Sequence, residues 1–139
     1  MISRPAPATP PARLLLDTHV LLWSATSPDR LSDLSRAAIE DGENEIFVSI
    51  VTAWEIAIKQ SIGKLDLPSP AEEWLPDVLK RTGFEVAELG VAAALRVRGL
   101  PWHHRDPFRR LLIAQALEDG LTLVTHDDLG AYGVPILAA

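Results

Sequence analysis

An α/β domain around a largely parallel sheet is the fold class this sequence predicts, and three observations carry that prediction. Short apolar runs of the kind buried on both faces of a sheet, "RLLL" at 13–16 and "LTLV" at 121–124, alternate with longer segments of helical periodicity. The clearer helical segments are bounded by capping and stop residues. Finally, 139 residues with 47% hydrophobic and 23% charged side chains suit one domain with a single core.

Taken in order, residues 1–13, "MISRPAPATPPAR", are rich in proline and alanine and read as a flexible arm ahead of a domain at 14–139. The first strand ends at Asp17, and "HVLLWSAT" follows as a helix that stops near Pro28. In "LSDLSRAAIEDG", Ser32 is the N-cap, Gly42 the stop, and Leu34, Ala38 and Ile39 form the apolar stripe. "EIFVSI" is a second strand; "TAWEIAIKQSIG" is an amphipathic helix closed by Gly63, with Thr52 and Glu55 spaced as a capping box. The helix in "SPAEEWLPDVLKRTG" begins with Pro70 in its first turn, bends at Pro76 and stops at Gly83. "FEVAEL" is a strand and "GVAAALRVRGL" a short helix. "DPFRRLLIAQALEDG" has the sharpest boundaries: Asp106 as N-cap, Pro107 at the first helical position, Gly120 just past the end. "LTLVTHD" is a further strand and "VPILA" a last edge strand. Ligands of such sheets gather beyond the carboxyl ends of the strands, where Asp17 and Asp127 both stand.

The chain has no cysteine, which removes disulfides and thiolate chemistry. No apolar stretch approaches the roughly 20 residues of a membrane span, and the basic start lacks a cleavage site, so a cytoplasmic protein is expected. A net charge of −6 argues against a polyanionic partner, yet from Arg96 to Arg110 five arginines face the single Asp106. That segment reads either as a solvated surface or as a local contact for phosphate.

Each acid has an ordinary local role. Asp17 and Asp106 stand where helix caps are needed, Glu55 completes a capping box, and Asp127 lies in a turn. As a set they are harder to dismiss, because clustered carboxylates repel and call for a compensating cation. Hard oxygen donors select Mg²⁺ or Mn²⁺, whose bound water can attack a phosphodiester. The sequence has no HExxH, no GxxxxGK[ST] or GxGxxG loop and no GxSxG elbow, which argues against zinc, P-loop, dinucleotide and serine-hydrolase chemistry. A phosphotransferase using Asp17 as nucleophile would want DxD, but His19 holds the second position.

"LLLDTHVLLW", "VSIVTAWEIAIK", "HHRDPFRRLLIAQAL" and "LTLVTHD", in that order and spacing, resemble PIN-domain ribonucleases, and more narrowly the VapC toxins of bacterial toxin–antitoxin pairs. The resemblance covers nearly everything from residue 13 onward. It implies an α/β/α sandwich, an endoribonuclease dependent on Mg²⁺ or Mn²⁺, a cognate antitoxin over the active site and a homodimer. Carried across by position, Asp17, Glu55, Asp106 and Asp127 are the catalytic acids, and Asp17, Asp106 and Asp127 hold the metal. Thr18 and Thr125 would orient a carboxylate or a water, and Arg105, Arg109 and Arg110 would contact RNA phosphates.

One position departs from the pattern. Relatives with this helix opening usually read DPFDR; here Arg109 replaces the second acid, and Asp106, one turn earlier, is the substitute on the same face. A guanidinium at 109 would pair with Asp17 or Asp127 and take the cation's place. The alternative to an active nuclease is therefore a PIN-fold binding module with weak or no catalysis. Of the four tryptophans, Trp54 and Trp74 are expected to pack and Trp102 to offer a stacking surface for bases; His103 and His104 read as exposed loop residues.

Overall fold

Three consecutive leucines can all be buried only if their strand is covered on both faces. The computed structural model, which describes residues 11–139, arranges the chain in that way. Strand β1 (Arg13–Leu16) lies in the middle of a sheet, with β2 (Glu45–Ser49) on one side and β4 (Thr122–Thr125) on the other. Outside these lie β3 (Glu85–Ala87) and β5 (Ile136–Ala138), giving the order β3-β2-β1-β4-β5 with every pairing parallel. Leu14 and Leu16 share a core with Val20 and Leu21 of α1 (Thr18–Thr26) and with Trp74, Leu75 and Val78 of α4 (Ala71–Thr82). Leu15 belongs to the opposite core, with Leu112, Ile113 and Ala116 of α6 (Pro107–Asp119) and Val51 of α3 (Ile50–Ser61). The predicted α/β/α sandwich follows from that alternation.

Register sets the strand ends level. Leu16 lies opposite both Val48 and Val124, so Asp17, Ser49 and Thr125 emerge along one edge. The Asp17 N–H continues the ladder by donating to the Val124 carbonyl at 2.9 Å. Two helices complete the set: α2 (Asp33–Glu40), and α5 (Val91–Arg96), which runs on into a 3₁₀ turn at Val97–Gly99. Among the described residues no helix is long and apolar enough to cross a membrane.

Several boundaries differ from the sequence reading, each for a local reason. Helix α3 starts two residues before Thr52 because the Ser49 hydroxyl accepts from Val51 N–H; the expected Thr52–Glu55 capping box does not form. Leu34 is 76% exposed, and α2 instead buries Ser35, whose N–H donates to the Ser32 hydroxyl. Pro70 is the residue before α4 rather than its first, and Pro76 sits inside the helix on its exposed side. Gly83 and Gly120 end α4 and α6 in the left-handed conformation, with φ of 76° and 67°. The arm expected over 1–13 lies largely outside the described residues. Within them, Ala12 N–H already donates to Asn44 Oδ1 and Arg13 opens β1.

Gln115 stands in no capping pattern. It is fully buried in α6: its Oε1 accepts from the Ser49 hydroxyl, and its Nε2 donates to the carbonyls of Ala87, at 3.4 Å, and Glu88, at 3.2 Å. One amide thus ties α6 to the carboxyl ends of β2 and β3. Gln115→Leu keeps the volume but orphans those buried partners. We expect a loss of about 2 kcal/mol in urea denaturation; an unchanged midpoint would contradict the role.

Candidate active site

Asp17 meets both demands that its position suggested. It is the N-cap of α1, its Oδ1 accepting from Thr18 N–H at 2.6 Å, while its Oδ2 accepts from the Thr125 hydroxyl at 2.7 Å. The side chain is 3% exposed. Thr125 in turn accepts from the backbone N–H of Asp127 at 3.1 Å, so the β1 and β4 corners hold each other. Asp106 also divides its oxygens: Oδ1 caps α6 through Phe108 N–H at 2.9 Å, and Oδ2 is left to a side-chain partner.

Asp17, Asp106 and Asp127 converge on one guanidinium. Arg109 Nη1 lies 3.2 Å from Asp106 Oδ2, and Arg109 Nε lies 3.4 Å from Asp17 Oδ2 and is ion-paired with Asp127 Oδ2. Its side chain is 14% exposed, and Nη2 reaches His19 Nδ1 at 3.3 Å. The expectation that Arg109 pairs with Asp17 or Asp127 is met by both, and Asp106 joins them. Three carboxylates against one cation leave a local charge of −2, less repulsive than bare acids and less attractive to a divalent ion.

Glu55 stands beside this group rather than in it. Its Oε1 accepts from the Thr18 hydroxyl at 2.6 Å, and Oε2 is ion-paired with Lys59 one turn along α3. Thr18 therefore bridges the acids, with its N–H on Asp17 and its hydroxyl on Glu55; that hydroxyl is also 3.2 Å from the hydroxyl of Thr52. Both supporting threonines are buried and both hold a carboxylate. Lys59 and His19 were not anticipated: the i, i+4 spacing of Glu55 and Lys59 was readable, whereas the approach of His19 to Arg109 joins residues 90 positions apart.

The arginines expected to contact RNA separate into three kinds. Arg105 is exposed. Arg109 is committed to the aspartates. Arg110 is corrected outright: it is 2% exposed, and its guanidinium donates to the carbonyls of Pro101, His104, Val97 and Leu100, which fixes the loop between α5 and α6. Trp102 lies over that guanidinium at 3.8 Å and is 76% exposed. Trp74 packs in the core as expected, but Trp54 is 58% exposed, with Phe108 against its ring at 5.6 Å. His103 is exposed as read, while His104 is half-buried, its Nδ1 accepting from Asp106 N–H at 3.0 Å.

A divalent ion fits this arrangement in donor type but not in space. Aspartate oxygens suit Mg²⁺ or Mn²⁺, yet the point where Asp17, Asp106 and Asp127 would meet an ion is held by Arg109. Among the described residues no group of three or more His, Cys, Asp and Glu side chains is disposed to hold a metal. The expected metal set is therefore not assembled in this conformation.

A central parallel sheet with a cluster of strand-end and helix-cap acids defines a PIN domain, and the PIN-domain family model matches residues 14–130. The chain belongs to that family, in its VapC-type branch. It is 32% identical over 117 residues to Ribonuclease VapC22 of Mycobacterium tuberculosis (strain ATCC 25618 / H37Rv), across 82% of this chain and 86% of that one. In fold it is similar to the crystal structure of VapBC2 from Rickettsia felis bound to a DNA fragment from their promoter. That match has a TM-score of 0.68 and 16% identity, and covers 91% of this chain and 98% of the other. FitAcB from Neisseria gonorrhoeae aligns with a TM-score of 0.59 and 17% identity, over 89% of this chain and 96% of that one.

If Arg109 is the counter-ion of the three aspartates, its removal must cost stability. In EDTA, Arg109→Ala is expected to lose about 2–3 kcal/mol in urea denaturation. Manganese should restore part of that loss while shifting the wild type little. Equal stabilisation of both proteins by manganese would argue against the assignment.

Proposed function

We propose that this chain is the toxin component of a type II toxin–antitoxin pair, a cytoplasmic endoribonuclease held in check by a cognate VapB-like antitoxin and working as a homodimer. The observation that carries the reading is the convergence of Asp17, Asp106 and Asp127 at the carboxyl edge of the sheet, with Glu55 joined to them through Thr18. Its support comes also from Ribonuclease VapC22, whose name states its activity and which shares most of its length with this chain. The substrate is RNA, whose phosphates would approach the edge bearing Arg105 and the aspartates. Mg²⁺ or Mn²⁺ belongs to this reading as the cofactor, but with the guanidinium among the acids no step of cleavage is assigned to it.

The ion pairs of Arg109 favour a second reading, in which the domain binds RNA or the antitoxin and cleaves weakly or not at all. One experiment separates the two. Single-stranded RNA is incubated with Mg²⁺ or Mn²⁺ and with wild type, Asp17→Asn and Arg109→Asp. The endoribonuclease reading expects cleavage by wild type, its loss in Asp17→Asn, and a rate at least about tenfold higher in Arg109→Asp, corresponding to roughly 1.4 kcal/mol. Cleavage by Arg109→Asp alone supports the binding-module reading, and no metal-dependent cleavage by any of the three overturns the nuclease assignment.

A further inference from the structure

The two corners that supply Asp17 and Asp127 also supply two histidines. His19 follows Asp17 by two residues, His126 directly precedes Asp127, and both rings are exposed. Between them stands Trp23, one turn beyond His19 on α1, half-buried and packed against the core. Its ring centroid is 6.1 Å from that of His19 and 5.3 Å from that of His126, which meets it edge-on. Above the indole lies the guanidinium of Arg30, 4.7 Å from the centroid. The group is continuous with the acid cluster, because His19 Nδ1 is the atom that Arg109 Nη2 reaches.

We propose that His19, Arg30 and His126, gathered around Trp23, form the contact surface for the RNA strand next to the acid cluster. This rests on the reading that the substrate is RNA, and it holds whether the domain cleaves the strand or only binds it. The chemistry suits a single strand. A guanidinium stacked on an indole keeps its in-plane N–H groups free for phosphate, and its outer face can carry a base. Arg30 has no carboxylate partner among the described residues, whereas Arg36 is paired with Asp29 and Glu40. Imidazole rings offer both a stacking face and a ring nitrogen for a phosphate or a 2′-hydroxyl.

The basic segment that the sequence put forward is a poorer candidate. Arg96 is paired with Glu118, Arg109 with the aspartates, and Arg110 with four carbonyls, leaving only Arg98 and Arg105 exposed without such partners among the described residues. Arg98 lies within the loop fixed by Arg110 and Arg105 next to Asp106, but neither has a ring contact among the described residues. Arg30, by contrast, lies over Trp23 in a group that adjoins the acids through His19.

The test is fluorescence anisotropy of a labelled single-stranded oligoribonucleotide, in EDTA to prevent cleavage, over a series of salt concentrations. The doubly substituted Arg30→Gln, His126→Gln protein is compared with the wild type and with Arg98→Gln, Arg105→Gln. Circular dichroism melting confirms that each is folded, and Arg30→Lys checks that a folded variant retaining charge but not the stacked plane is also weakened. We expect the first double variant to bind at least about fivefold more weakly and with a salt slope lower by about one. Unchanged binding there, with the loss appearing in Arg98→Gln, Arg105→Gln instead, overturns this surface and leaves RNA as the substrate. No binding by the wild type at any salt concentration removes the RNA reading itself.

Discussion

The guanidinium of Arg109 is the interaction on which the character of this site depends. Three aspartates brought to one edge by three separate elements would repel one another, and the fold needs a positive charge between them. Here that charge is covalently part of the chain, on the first turn of the helix that also carries Asp106. A resident side chain cannot be removed by a chelator or diluted away. The acids are therefore partly compensated by the chain itself, without an ion.

Asp17 shows how such an edge is built at little cost. One of its oxygens satisfies the opening of α1 and the other is fixed by Thr125, so a buried carboxylate is hydrogen-bonded on both sides before any partner arrives. Asp106 repeats the device at the start of α6. Capping and chemistry are often weighed as rival explanations of an acid; here one carboxylate serves both because its two oxygens face different groups.

Much of the fold was readable from sequence because periodicity reports burial. The run of three leucines at 14–16 requires a strand covered on both faces, and Pro107 and Gly120 mark the ends of α6 within a residue. Capping was harder: Thr52 matched the spacing of a capping box, but Ser49 stood at the strand's end and could reach Val51 first. At the site, Asp17 and Asp127 stand out at the strand ends and the family resemblance joins Asp106 to them, while Arg109 stands out because it replaces the second acid of the DPFDR pattern. Arg110 is the residue whose place sequence conceals, since sequence shows a charge but not the four carbonyls that take it up. Gln115 and His19 were invisible for the same reason: their partners are set by tertiary packing alone.

That packing also determines how α6 is oriented. Successive residues of a helix are turned by about 100°, so a small roll of α6 would carry Arg109, and Asp106 with it, away from Asp17 and Asp127. Two side chains resist such a roll from different points along the helix, Arg110 by gripping the preceding loop and Gln115 by gripping the sheet. The helix behaves as a keyed shaft, its angular setting fixed by residues that touch none of the acids. Substitutions at either key would thus mistune the charged edge from a distance, with every acid and the arginine still present.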